Sequence, residues 1–169
     1  MYLLDVIIMS VQRDSYAWFW VTLVIVAIIA GIVFFIYEMT RPRVMIHLGD
    51  GIFTARVAMT DSERQKGLSG VDNLPKDKVM LFVFPEDGKH GIWMKDMKIP
   101  LDIVWLDSDR RVIYIARDVL PDSYPEVYRP NIAARYVIEL AAGTVQEKQI
   151  RIGTIAQFNE KMLQKGGTW

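Results

Sequence analysis

The chain has no cysteine, only two histidines and no excess of either charge, with 20 lysines and arginines against 20 aspartates and glutamates in 169 residues. Each absence removes a class of function. Without cysteine there is no thiolate nucleophile, no cysteine-type zinc site and no disulfide framework, while the redox compartment stays open because such a chain suits either side of a membrane. His47 and His90 do not stand at His-x-His or His-x-x-x-His spacing, so no metal centre of that type is expected. Ser62 and Ser69 lie in no nucleophile elbow, and two scattered histidines leave little from which to build a Ser-His-Asp triad. A calcium site from Asp72, Asp77, Asp107 and Asp109 lacks the ligand spacing of an EF-hand loop, and Asp107-Ser108-Asp109 reads more simply as a hairpin turn. Balanced charge with no basic stripe gives no reason to expect a nucleic acid partner. No cofactor is implied by any motif.

What the chain does have is a long uncharged run. From Ser15 to Tyr37 the chain carries no charge, which matches the ~20 apolar residues that cross a bilayer as a helix. Tyr16, Trp18, Trp20 and Tyr37 lie towards its ends, where amphipathic rings favour the headgroup level, and Arg13, Arg41 and Arg43 flank it. The run is apolar around its full circumference, unlike a buried soluble helix, and is longer than the ~7–15 residues of a signal-peptide core. It is read as a single transmembrane helix, with the lipid bilayer as its partner. Counting flanking positive charges would place the following domain in the cytoplasm by a margin of one, which the free N-terminal amine nearly cancels. The expected organisation is an N-terminal flank (1–14), a transmembrane helix (15–38), a linker (39–43), a β domain (44–158) and a tail (159–169).

The β domain is read from strand and turn signals. VMIHL and IFTARVAM around Gly49-Asp50-Gly51 form a hairpin, because an Asp-Gly pair tolerates the positive φ of tight turns. Thr60-Asp61-Ser62-Glu63 is a capping box that starts a helix, stopped by Gly67, and Thr144-Val145-Gln146-Glu147 reads as a second capping box. VMLFVF, GIWM, LDIVWLD, RVIYIARDV and RYVIELA are short, rich in β-branched and aromatic residues, and bounded by Pro, Gly, Asp or Ser. LDIVWL is apolar on both alternating faces and is expected to be a central strand. With no long crossover helices available, the expected architecture is mainly β, an antiparallel β-sandwich or partly closed barrel with two or three short helices, preceded by the transmembrane helix.

The motifs VAMTDSERQKGL, MLFVF, IWMKDMKIPLDIVWLD and YVIELAAG, in that order, resemble the family known as domain of unknown function 192, over about Phe53 to Phe158. The chain departs from the family's usual pattern at Ser69, where a methionine is common, at Val79, where a glycine is common, and at Met97, where a threonine is common. The resemblance implies a compact, mainly antiparallel β-sandwich-like domain and implies no reaction. Members are often exported or membrane-anchored, which implies an extracytoplasmic β domain here, against the weak charge count.

Candidate functional residues therefore come from side-chain chemistry. Asp102 and Glu139 lie in apolar strands, where an acid must be paired or bonded to be tolerated, and Arg64, Lys95 or Arg135 could pair Asp102. Asp96 precedes Pro100 and could cap backbone groups of its loop. If Asp96, Asp102 and Glu139 faced one cleft, with Lys95 as charge stabiliser, they would form the acid–base set of an envelope-associated hydrolase. The favoured alternative makes these acids structural and the protein a non-enzymatic binding or accessory module at the cell envelope, with an envelope protein or a glycan as ligand. Trp93, Met94, Lys95, Asp96, Tyr124, Tyr128 and Arg64 are then the candidate binding residues. Phe82, Phe84 and Trp105 are further aromatics that either line a groove or fill the core. The segment Asp118–Arg135 holds three prolines and two tyrosines, and either carries recognition or covers a sheet edge.

Overall fold

The computed structural model of the protein describes residues 18–36 and 44–163. The N-terminal flank, Arg13, Tyr16, Tyr37, Arg41, Arg43 and most of the tail, all of which carry expectations above, lie outside the described residues. The chain divides into two compact units, Met1–Arg41 and Pro42–Trp169. In the first, α1 (Trp18–Ile36) is one helix of 19 residues, exposed along its length. At ~1.5 Å per residue it approaches the ~30 Å of a hydrocarbon core, a length and composition that suit a membrane span or a signal sequence.

The second unit is mainly β. Six strands, β1 (Val44–Leu48), β2 (Gly51–Ala58), β3 (Lys78–Gly88), β4 (Leu101–Leu106), β5 (Val112–Val119) and β6 (Ala134–Ala141), form one sheet in the order β1-β2-β3-β6-β4-β5. Three short helices accompany it, α2 (Asp61–Lys66), α3 (Thr144–Glu147) and α4 (Glu160–Leu163), with a 3-10 turn at Pro121–Ser123. The expected hairpin is present, with Leu48 opposite Gly51 and Val44 opposite Ala55, and Gly49 supplies the positive φ. LDIVWL is central as expected. All six residues of β4 are buried, and the strand lies between β5 and β6.

The mainly β domain with short helices after an apolar helix is as expected, and two details refine it. The six strands do not close into a barrel; β1 and β5 are the outer strands, and residues 154–157 bridge towards both, Gln157 pairing with His47 and Ile155 with Arg111. The sheet is also mixed, because β2 and β3 pair in parallel, Ala55 beside Val79 and Val57 beside Leu81. A parallel pair needs a crossover of a dozen or more residues, and residues 59–77 provide it with only six in a helix. A crossover built largely of turns leaves no long helical period to read in the sequence.

The sheet alternation builds a core on each face. One face gathers Leu81, Val104, Leu106, Tyr136, Ile138 and Leu140 under Val145, Ile150, Phe158 and Leu163 from the C-terminal segment. The other gathers Met80, Phe82, Ile103, Trp105 and Val137 under Leu68, Ile92 and Met94. Helices, turns and loops cover the two faces where a second sheet would complete a sandwich. Trp105 is fully buried and its indole N–H donates to the carbonyl of His90 at 2.8 Å, so this aromatic is core and not groove. GIWM forms no strand. Only Ile92 pairs, in an isolated bridge with Tyr128.

Candidate functional site

The two acids in apolar strands have opposite fates. Asp102 is 1% exposed, and its Oδ1 accepts from the backbone N–H of Asp118 at 2.9 Å while Oδ2 accepts from that of Val145 at 2.8 Å. None of Arg64, Lys95 or Arg135 pairs it. Arg135 instead donates to Asp87 at 2.6 Å. The second contact explains a failed expectation. Thr144 is not a cap but the first residue of α3, its buried Oγ1 is unpartnered, and Gly143 occupies the cap position at φ 79. The free N–H at the helix start is satisfied by Asp102 from a strand far away in the chain, which serves as the cap the local sequence lacks. Asp102 is therefore a clamp between β5, α3 and its own strand.

Glu139 is also buried, at 4% exposure, but its Oε2 has no hydrogen-bond partner among the described residues. It lies on β6 between Met80 of β3 and Ile103 of β4, and alternation places it on the same face as Val137. Burial pushes its carboxyl from 4.5 up to about 8, because the charged form loses water and gains nothing in return. Most of this side chain is thus a neutral acid at pH 7.

Above Glu139 the face is not filled. A half-open cavity of about 150 Å³ is walled by Leu68, Phe82, Phe84, Ile92, Trp93 and Met97, with Asp61, Arg64, Gln65 and Lys66 of α2 also reaching it. The turn at Gly67 shapes this wall. The capping box that starts α2 is complete, since Glu63 N–H donates to Thr60 Oγ1 at 3.3 Å and Glu63 Oε2 accepts from the N–H groups of Thr60 and Met59 at 2.8 and 2.9 Å. The helix then ends at Gly67 with φ 46 and ψ −128, a conformation nearly confined to glycine. A Cβ there would stand 3.2 Å from Cζ of Phe82 and 3.7 Å from Glu139 Oε2, inside the cavity. Gly67→Ala is predicted to destabilise by about 1–3 kcal/mol and to narrow the cavity, measured as a shift in the urea midpoint of the full chain in mild detergent.

Arg64 is held in place. Its Nη1 donates to the carbonyls of Met59 and of Val83 (2.8 Å), its Nη2 to Asp61 at 2.5 Å, and its guanidinium lies 5.1 Å from the centroid of the Phe84 ring. Phe84 stacks on His90 at 3.6 Å. The opposite wall is tied down by backbone contacts: Ser69 Oγ donates to the carbonyl of Lys95 at 2.9 Å, and Gly70 N–H to that of Asp96 at 2.9 Å.

The candidate residues scatter accordingly. Glu139, Arg64 and Trp93 meet at the cavity, Trp93 being 42% exposed. Asp102 is committed to backbone N–H groups elsewhere. Asp96 adopts φ 56, and its contribution to the loop is its carbonyl and not a side-chain cap. Lys95 and Asp96 are exposed and lie outside the cavity wall, so the acid–base set of Asp96, Asp102, Glu139 and Lys95 does not assemble around one cleft. Met94 is 1% exposed and packed in the core beside this face of the sheet. Tyr124 is exposed and Tyr128 half-buried, its hydroxyl donating to Glu126 at 2.9 Å, and neither reaches the cavity. Leu68, Met97 and Gly67 were not anticipated as wall residues. Only the Gly-Leu after a capped helix hinted at a turn packed over the sheet.

Comparison with known proteins places these features in a family. The family DUF192, described as uncharacterized ACR, matches residues 44–158. The UPF0127 protein TK1120 of Thermococcus kodakarensis is 30% identical over 105 residues, 61% of this chain. A UPF0127 protein of Thermococcus gammatolerans is 30% identical over a stretch of the same length. The match spans 63% and 65% of the lengths of these two relatives. Among solved structures, a protein from Sinorhizobium meliloti, named as a candidate transcription regulator, superposes with a TM-score of 0.64 at 29% identity, covering 69% of this chain and 92% of the other. A protein of unknown function from Novosphingobium aromaticivorans gives a TM-score of 0.63 at 26% identity, covering 68% of this chain and 83% of the other.

Proposed function

The chain belongs to the DUF192 family, and from that premise we propose that it is a membrane-anchored, non-enzymatic binding module whose site is the cavity over Glu139. The observation that carries this reading is a carboxyl group, almost wholly buried and unpartnered, in the wall of a half-open cavity. An orphaned buried acid costs stability, and a protein retains one at that cost where the group meets a ligand. The cavity's volume suits a group of roughly six heavy atoms, since an apolar cavity of that size holds one benzene. Its wall sets apolar and aromatic side chains from β3, the turn after α2 and the loop 91–97 beside the polar groups of α2, with the Glu139 carboxyl among them, a mixture that suits a small ligand with one polar end.

The hydrolase alternative loses its support with the separation of its carboxylates. The balanced charge of the chain favours a small molecule or a protein group over DNA as occupant, whatever role the Sinorhizobium relative performs. The apolar helix α1 supports anchoring in a bilayer, with the β domain at the cell envelope.

The test is ligand-observed NMR on the full chain in mild detergent with three four-carbon probes, 1-butanol, n-butylammonium and butyrate. At least one is predicted to bind with Kd about millimolar or tighter, as five or six heavy atoms allow. Trp93→Ala, at an exposed position, is predicted to weaken that binding about five- to tenfold. Absence of binding by all three would contradict the reading, as would binding that Trp93→Ala leaves unchanged.

A further inference from the structure

We propose that the cavity is a receptor site for a primary alkylammonium group, with Glu139 as its counterion and the rings of Phe82, Phe84 and Trp93 in its wall. This rests on the binding reading above and names the chemistry of the occupant. Three observations carry it. First, Glu139 Oε2 has no donor among the described residues, so a donor brought by the ligand completes it. An ammonium offers three.

Second, Phe82 and Trp93 add aromatic surface to the wall that neither His90 nor Arg64 occupies, as they do Phe84, and aromatic rings attract cations and repel anions at their faces. Third, the cavity's guanidinium is already committed: Arg64 is bonded to two carbonyls and to Asp61, so an anionic ligand would compete for a satisfied partner. The charged groups around the cavity are Asp61, Arg64 and Lys66 of α2, while β3 contributes only Phe82 and Phe84 and the loop 91–97 only Gly91, Ile92, Trp93 and Met97. Glu63, also on α2, is occupied with the N–H groups of Met59 and Thr60.

Binding has a proton balance. The empty site holds Glu139 as the neutral acid, and the ligand enters as R–NH3+. The Oε–H bond breaks, the proton passes to buffer, and the carboxylate and ammonium remain as a hydrogen-bonded pair. With the empty-site carboxyl titrating at about 8, roughly nine-tenths of the sites are protonated at pH 7. Close to one proton is therefore released per ammonium bound. Affinity rises about ninefold from pH 6 to 7 and about fivefold from pH 7 to 8, and above 8 it levels off.

Isothermal titration of the full chain in mild detergent tests this, at several pH values and in two buffers of different ionisation enthalpy. The probes are n-butylammonium chloride, Nα-acetyl-lysine amide, 1-butanol and sodium butyrate. The expected result is that an ammonium probe binds at least about tenfold more tightly than 1-butanol at pH 7, with butyrate weakest and with about one proton released. Glu139→Gln is expected to abolish both the proton release and the pH dependence, a change that a merely structural role would not produce. Tighter binding of n-butylammonium would identify a free amine as the natural occupant, and tighter binding of the lysine amide would identify a lysine side chain of a protein partner. Equal or tighter binding of 1-butanol or butyrate, or ammonium binding without proton release, would overturn the ammonium assignment while leaving the binding site intact. Failure of all four probes to bind would overturn both.

Discussion

Asp102→Ala is expected to destabilise the β domain by about 3–5 kcal/mol, the largest effect of any single polar substitution in it. The carboxylate accepts from two backbone N–H groups, those of Asp118 and Val145, in a site only 1% exposed. Removing it strands both donors away from water, at about 1–3 kcal/mol each, and leaves a small void between β4, β5 and α3. Asp102→Asn keeps the shape but must turn its NH2 towards one of the two N–H groups, so a loss of about 2–3 kcal/mol is expected. Chemical unfolding of the full chain in mild detergent measures both, as a lower midpoint at unchanged slope. Neutral behaviour of Asp102→Asn would remove Asp102 from the role of clamp.

Glu139→Gln is expected to act in the opposite direction. A carboxyl titrating at about 8 in the folded chain and at 4.5 unfolded binds its proton more tightly when folded. Its contribution is therefore most favourable below the unfolded value, is lost progressively as pH rises from about 4.5 to about 8, and is constant above that. The slope in that window is about 1.4 kcal/mol per pH unit, so wild-type stability should fall on the order of 3 kcal/mol between pH 5 and 8 relative to the variant. At pH 7 the variant should be the more stable by about 1–3 kcal/mol, the buried amide itself costing part of the gain. Comparing unfolding midpoints of the two proteins at pH 5, 6, 7 and 8 isolates this group from every other titration. Parallel profiles would show that Glu139 is paired or hydrated in the folded chain.

The contrast between these two acids also marks how far the sequence was readable. Asp102 and Glu139 look alike in sequence, each an acid inside a β-branched strand, and only the distant partners distinguish them. The N–H of Val145 lies 43 positions from Asp102 in the chain. Local patterns were legible where local physics decides. The apolar helix, the Asp-Gly hairpin, the capping box at Thr60 and the fully buried β4 depend on neighbours within a few residues. The parallel pairing of β2 with β3 depends on how an irregular crossover folds back, which no period encodes. The split of Trp93 to the surface and Met94 to the core follows from a loop held by backbone bonds to Ser69 and Gly70, where strand alternation does not apply. The wall of the cavity was half visible, as aromatics and an acid without a stated meeting place. Ser69 and Met97, two positions where the chain departs from the family's usual residues, are both in that wall.

The central claim is that Glu139 is a buried, neutral, unpartnered acid open to a ligand. The most direct measurement is the titration of its side-chain carboxyl carbon by 13C NMR in the full chain, labelled at glutamate and assigned by the signal missing in Glu139→Gln. A midpoint near 8, displaced downwards by n-butylammonium, is the predicted result. A midpoint in the ordinary carboxylate range of about 4–5 would contradict it.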